Sequence, residues 1–254
     1  MLYQLLRTME GVSCRLADIV IATNESYRQI EISRCGVEPA KIYVVRNGPS
    51  LERLQRVEPF KFVREKAETM ICYLGAINIQ DGVENIIEVL NKIVSIHDYK
   101  NIQLLVIGDG DYLYRIRELT AELNLDDYVF FTGYVRDTVL LNKYMSSADI
   151  FVDAAPGTFL NHNSTFIKHM EYMAFGKPVV SFALRESMFS LGDAGVFVAP
   201  NDTDEMARAL IALIGDNERR KALSAAALAR VSELTWERVS SPLLSSYSEL
   251  SHKK

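Results

Sequence analysis

Asn163 and Glu171 are the two residues of this chain whose types and spacing best suit ligand chemistry. They stand eight positions apart in the stretch NSTFIKHMEYMAFGKPVV, with Ser164, Thr165 and Lys168 between them. Phe166, Ile167, Met170, Met173 and Ala174 recur at a helical period, which predicts a helix over Thr165–Phe175 with those residues turned inward. Asn163 or Ser164 is placed to cap the first turn, Gly176 suits the left-handed position after the last, and Pro178 cannot continue the helix. A loop feeding a helix N-terminus carries free backbone N–H groups and a positive dipole end, which suits a phosphate. Glu171, further along, can hold vicinal hydroxyls such as those of a ribose. The pair therefore fits a nucleotide-sugar better than a bare phosphate. A capped amphipathic helix before a buried strand is also ordinary α/β construction, and this segment alone leaves both readings open.

The elements that must position these residues follow from hydrophobic patterning. Short apolar runs predict strands at Ile19–Ala22, Ile42–Arg46, Met70–Gly75, Ile102–Ile107, Val129–Thr132, Ile150–Asp153, Pro178–Phe182 and Gly195–Val198. Helical periodicity fills most of the gaps, at Glu25–Cys35, Val83–Ser95, Tyr112–Leu123, Thr138–Ser147 and Thr165–Phe175. That alternation predicts an α/β fold, a Rossmann-like doubly wound parallel sheet covered on both faces. The stretch Ala154–His162, with Pro156 and Gly157, reads as a long loop, and everything from Thr203 onward reads as helix. In such sheets ligands sit beyond the C-terminal strand ends, which singles out the loops that follow the strands at 70–75, 129–132 and 150–153.

The first fifty residues need a separate account. Leu2, Leu5, Leu6, Met9 and Val12 or Leu16 form a stripe expected to be buried. Two short strands and one helix follow, too little to close a sheet without open edges and apolar surface. Residues 1–50 are therefore not expected to form a domain by themselves, whereas residues 51–254 hold enough strands for a domain of their own with C-terminal helices.

Composition excludes several classes. The chain has 254 residues, 48% of them apolar, and a net charge of −5. No long basic run supports nucleic-acid binding. Cys14, Cys35 and Cys72 are far apart and odd in number, as expected of buried thiols in a reducing cytoplasm. No apolar run approaches the roughly 20 residues of a membrane span, and the start lacks the layout of a signal peptide. A cytoplasmic protein is expected, free or peripheral at the inner face of the membrane.

Other motifs carry less. Asp109-Gly110-Asp111 has the form of a metal-binding D-x-D, yet a strand-to-helix turn with Asp111 capping the next helix is the simpler reading. His162, His169 and Glu171 lack a good third ligand for zinc. Gly108-x-Gly110 meets Leu113 where a dinucleotide fingerprint needs its third glycine, which argues against a nicotinamide enzyme. No catalytic triad order, nucleophile elbow or Walker loop is present.

The stretch EYMAFGKPVV, with Asn163 upstream, resembles the retaining glycosyltransferases of family 4, which have two Rossmann-like halves in the GT-B fold. Those enzymes carry two glutamates at the spacing of Asn163 and Glu171. Glu171 matches the second, and Asn163 replaces the first. The resemblance is closest to a branch with N-S-T before K-x-x-E-Y-M-A-x-G-K-P-V-V, common in bacterial surface-polysaccharide clusters. ADIVIATNES and KIYVVRNGPS resemble the end of the acceptor-binding half and the linker that follows it. By this resemblance residues 1–50 are the remnant of a second Rossmann-like half, and the chain is the donor-binding half with the tail of the acceptor half. It would transfer a sugar from a nucleotide-sugar with retention, as a hexosyltransferase without metal or other cofactor.

The resemblance also assigns residues. Glu171 would bind the ribose and Asn163 the transferred sugar, as the catalytic pair. The Ser164–Thr165 turn would hold the diphosphate. Gly133, Tyr134 and Val135 would meet the base, while Gly75, Asn78, Asp81 and Lys168 complete the donor site. The arginine and lysine that usually grip the diphosphate are absent, since Ala76 and Asp81 stand in their places; Lys168, Lys177 and Arg46 are the cations available. The implied partners are a nucleotide-sugar, a UDP-sugar above others, and a saccharide or lipid-linked acceptor. The alternative is a non-catalytic or split-enzyme subunit that needs a partner chain for the acceptor half.

Overall fold

The computed structural model describes residues 1–65 and 67–252. In chain order the elements are α1 (Leu2–Leu16), β1 (Val20–Ala22), α2 (Glu25–Cys35), β2 (Ile42–Val44), α3 (Lys61–Arg64), β3 (Thr69–Leu74), α4 (Val83–Asn91), β4 (Ile102–Ile107), α5 (Leu113–Glu122), β5 (Val129–Gly133) and α6 (Thr138–Ser147). They continue with β6 (Ile150–Asp153), α7 (Phe159–Asn163), α8 (Ile167–Ala174), β7 (Val179–Phe182), α9 (Arg185–Leu191), β8 (Gly195–Val198), α10 (Thr203–Gly215), α11 (Asn217–Glu233), α12 (Trp236–Val239) and α13 (Ser241–His252). Each expected strand is present, displaced by two residues at most.

Six strands form one parallel sheet in the order β5-β4-β3-β6-β7-β8. The chain winds outward from β3 in one direction and from β6 in the other, so the switch point, the place beyond whose strand ends open α/β sheets bind ligands, lies between those two strands. Period-two alternation divides the core. On β3, Ile71 faces a cluster with α4, α5 and α10, whereas Met70 and Cys72 face one with α6, α8 and α11. Tyr172 of α8 stacks on Phe151 of β6, with centroids 4.3 Å apart, and its hydroxyl donates to the Leu74 carbonyl at 3.0 Å. That hydroxyl also accepts from the Leu74 N–H at 3.0 Å, so α8 is tied to the C-terminal end of β3.

β1 and β2 form a separate parallel pair, with α2 crossing between them. The C-terminal helix returns to this pair: Tyr43 of β2 donates to Glu249 of α13 at 2.6 Å. The expected helix over the last residues is broken into α12 and α13. Among the described residues no helix is long and apolar enough to cross a membrane.

Four local expectations fail. The helix expected over Thr165–Phe175 starts at Ile167, after Phe166 at the N-cap and with no side-chain cap, because Asn163 and Ser164 end α7 instead of beginning α8. The loop expected over Ala154–His162 contains α7, started by the Thr158 hydroxyl accepting from Asn161 N–H. Asp111 does not cap α5, whose N-cap is Tyr112. The stripe of α1 is not buried, since Leu2, Leu5, Leu6, Met9, Val12 and Leu16 are all exposed.

Candidate donor site at the switch point

The loops beyond β3 and β6 interlock. Gly108, after β4, approaches so closely that a Cβ on it would lie 1.9 Å from the Gly75 carbonyl oxygen, at a φ of +142°. Asn161 of α7 donates to the carbonyls of Gln80 and Pro156, both at 2.9 Å. Asn78 and Asp81 close a small turn on each other: the Asn78 N–H donates to the Asp81 carboxylate, and the Asn78 side chain accepts from the Asp81 backbone. Both side chains are thus engaged in shaping the loop. Gly133 accepts from Gly108 N–H at 3.1 Å through its carbonyl. Tyr134 is exposed beside the Arg136 guanidinium, and Val135 packs on the α6–α8 side of the core.

Lys168 is placed differently from a solvated helix lysine. It is buried, and its Nζ lies 2.9 Å from Asp153 Oδ1, off the line of a hydrogen bond, and 3.4 Å from the Tyr73 hydroxyl. His169 Nε2 sits 2.7 Å from Asp153 Oδ2. Lys168 therefore joins β3 to β6 across the switch point. Burial opposes the charge on Lys168, but the Asp153 carboxylate outweighs it and holds the ammonium well above the usual lysine range. Burial likewise pushes Asp153 up, and the Lys168 charge with the His169 bond pulls it well below the usual carboxylate range. Burial raises Tyr73 to about 12, against the pull of Lys168. His169 Nδ1 is buried without a hydrogen-bond partner among the described residues. The histidine is thus a core residue, and no cluster of three metal-ligating side chains occurs among the described residues.

Glu171 lies in the next turn of α8 and is half-buried. No hydrogen bond holds its carboxylate among the described residues. Burial raises its pKa above the usual range, opposed by the Arg53 charge. A carboxylate kept partly dry without donors is prepared to accept hydroxyls from a ligand. The uncapped start of α8 leaves first-turn N–H groups open to an anion.

Asn163 is buried at the end of α7. Its amide N–H donates to the Phe159 carbonyl at 2.6 Å, and its Oδ1 accepts from Arg185 Nη1 at 3.1 Å. Ser164 donates its hydroxyl to the Leu160 carbonyl at 2.8 Å, which uses its only hydrogen inside α7. Thr165 keeps its hydrogen, because its oxygen accepts from Asn24 at 3.0 Å. Of the remaining cations, Arg46 is committed to Glu186 at 3.0 Å. Sequence reasoning passed over Arg185 and Arg53. Arg185 opens α9 beyond the end of β7, a position that the strand-end rule alone marks for inspection.

The description "Glycosyl transferases group 1" matches residues 68–216, more than half of the chain. The chain belongs to this family. A phosphatidyl-myo-inositol mannosyltransferase of Mycolicibacterium smegmatis is 31% identical over 172 residues, covering 67% of this chain and 42% of that protein. An uncharacterized glycosyltransferase of Methanocaldococcus jannaschii is 25% identical over 221 residues, 85% of this chain and 54% of the relative. The chain thus spans about half the length of these relatives. HepE of Anabaena, solved in complex with UDP, superposes with a TM-score of 0.80 at 20% identity, over 96% of this chain and 67% of that one. Sucrose-phosphate synthase of Thermosynechococcus elongatus gives 0.80 at 23% identity, over 99% and 63%. These likenesses identify the fold as that of the GT-B glycosyltransferases.

Proposed function

We propose that this group 1 chain is the donor-binding part of a family 4 retaining hexosyltransferase acting in bacterial surface polysaccharide or glycolipid synthesis on the cytoplasmic side of the membrane. The observation that carries the reading is Glu171, a half-buried carboxylate without internal donors among the described residues, on α8, whose uncapped start follows the loop beyond β6. In this reading Glu171 accepts from two ribose hydroxyls, and Asn163, held by Arg185, faces the transferred sugar. Thr165 and the first N–H groups of α8 hold the diphosphate, and the Gly133–Val135 turn meets the base. Lys168 shapes the site by tying Tyr73 to Asp153 rather than by gripping the diphosphate, since Asp153 already neutralises it. The leaving phosphate assists attack on the same face of the sugar, so the step needs no protein nucleophile and no metal. UDP is the nucleotide favoured, because HepE was solved with UDP and with UDP-glucose. The acceptor is a saccharide or a lipid-linked one, the latter as in the mannosyltransferase named above.

Residues 1–50 are, in this proposal, the tail of the acceptor-side half, and residues 51–254 the donor domain. Calorimetric titration with UDP-, GDP- and dTDP-sugars, with Glu171→Ala as control, tests the function. Saturable binding by the wild type that the variant loses supports it, and no binding of any of the three sinks it.

A split enzyme or non-catalytic binding subunit is the second reading, favoured by one observation. Helix α1 exposes an entire apolar stripe beside a two-stranded sheet. Co-purification of a chain carrying a lone acceptor-side half supports this reading, and transferase activity of the isolated chain excludes it.

A further inference from the structure

Asn24 has no solvent-exposed surface and caps α2 from outside the large sheet, yet it reaches the α7–α8 turn. Its Oδ1 accepts from the Tyr27 N–H at 2.8 Å. That bond settles which end of the amide is the donor, because a backbone N–H cannot accept. Nδ2 then donates twice, to the Asn163 carbonyl at 2.8 Å and to Thr165 Oγ1 at 3.0 Å. Two neighbours brace the same contact. Ser26 donates to Glu186 at 2.6 Å, and the Tyr27 hydroxyl lies 3.4 Å from Ser164 Oγ. Since the Ser164 hydrogen already serves Leu160, Tyr27 is the donor of that pair.

Every hydroxyl in the turn therefore has a fixed sense. Ser164 is saturated. Thr165 receives a hydrogen bond on its oxygen, and its own hydrogen is the one left to donate outward. We infer that Asn24 is a positioning residue that orients the Thr165 hydroxyl as a hydrogen-bond donor to the diphosphate of a nucleotide. This rests on the donor-site reading above and deepens it: the segment that would belong to the acceptor side sets the polarity of a group on the donor side. Donation from Asn24 also makes the Thr165 hydrogen more acidic, which strengthens its bond to an anion.

Asn24→Asp keeps the cap on Tyr27 N–H, since aspartate is an equally good N-cap. It removes both donated bonds, and the new carboxylate draws the Thr165 hydrogen toward itself. Thr165→Val removes the hydroxyl from the other side and leaves Asn24 and the α2 cap in place. The experiment is calorimetric titration of UDP into the full chain for the wild type, each variant and the double variant. Thr165→Val is expected to weaken UDP about tenfold, and Asn24→Asp at least as much. Asn24→Asp added to Thr165→Val is expected to cost clearly less than it does alone, because the hydroxyl it acts through is gone and only the lost Asn163 bond and the repulsion of the new carboxylate remain. A purely structural Asn24 would instead cost the same factor in both backgrounds. That additivity overturns the inference, as does unchanged UDP affinity in Thr165→Val. A wild-type chain that binds no UDP overturns the donor-site reading itself, so the two failures are told apart by which protein fails.

Discussion

Successive turns of α8 treat charge in opposite ways. Lys168 and His169 turn inward, and Asp153 answers both from the end of β6. Glu171, in the next turn, is half-buried and has no donor among the described residues. A charge with a partner inside the chain is part of the fold. A charge held partly dry without one is available to a ligand, and the protein bears the cost of keeping it there.

The largest effect expected from breaking this contrast is at Asp153. Asp153→Ala leaves Lys168 buried without its counter-charge and should destabilise the fold by about 3–5 kcal/mol, read by urea unfolding at neutral pH. Adding Lys168→Met should recover part of that loss, since an apolar pair of similar volume replaces a broken ion pair. A double variant as unstable as Asp153→Ala would show that the pair is not what Asp153 serves. The pH dependence has a definite sign. Asp153 is depressed in the folded protein, so its stabilisation is present above the ordinary aspartate range and is lost as pH falls through the lower folded value. The acid limb of the stability curve should therefore flatten in Asp153→Ala.

Asn163→Glu, which supplies the glutamate that the proposed family 4 reading would place there, comes next. At a loop position it would be tolerated, but Asn163 is a buried end of α7 whose amide hydrogen serves the Phe159 carbonyl. A carboxylate there loses that donor and adds a methylene, so destabilisation of about 1–3 kcal/mol is expected, offset in part by Arg185. Unfolding of this variant alongside Asn163→Gln measures it. A variant as stable as the wild type would mean that Arg185 compensates completely.

The smallest effect is at Tyr134. It is exposed, so Tyr134→Ala should leave the unfolding midpoint within about 0.5 kcal/mol of the wild type. If the turn meets the base, the same change weakens nucleotide binding severalfold in calorimetry. Loss of stability without loss of binding would make the residue one of packing.

All eight strands were legible because each is a short, almost wholly apolar run, the pattern that burial in a parallel sheet imposes. The short helices α7 and α9 were not legible as helices, because they are set by polar contacts at their ends rather than by an apolar period. The pairing of Lys168 was not legible for a related reason. Lys168 is on α8 and its partner Asp153 ends β6, fifteen residues earlier, and only the fold brings the two charges together. The α1 stripe was read correctly as apolar, but its periodicity says only that a surface is wanted, not that this stretch of chain supplies it. Glu171 was legible through the motif around it, and its lack of a partner became visible only in three dimensions.

The most direct test of the account is thermal unfolding of the wild type and Glu171→Gln near neutral pH, with and without a UDP-sugar. Glu171 is raised in the folded protein, so its ionisation costs stability as pH rises through and above that value. Glu171→Gln should therefore unfold at a higher temperature than the wild type at neutral pH, with the difference vanishing below the ordinary glutamate range. The same variant should gain little or nothing from the UDP-sugar, while the wild type gains several degrees at saturating ligand. A Glu171→Gln protein that is less stable than the wild type, and that keeps the full ligand-induced shift, would make Glu171 a structural residue and contradict the donor-site assignment.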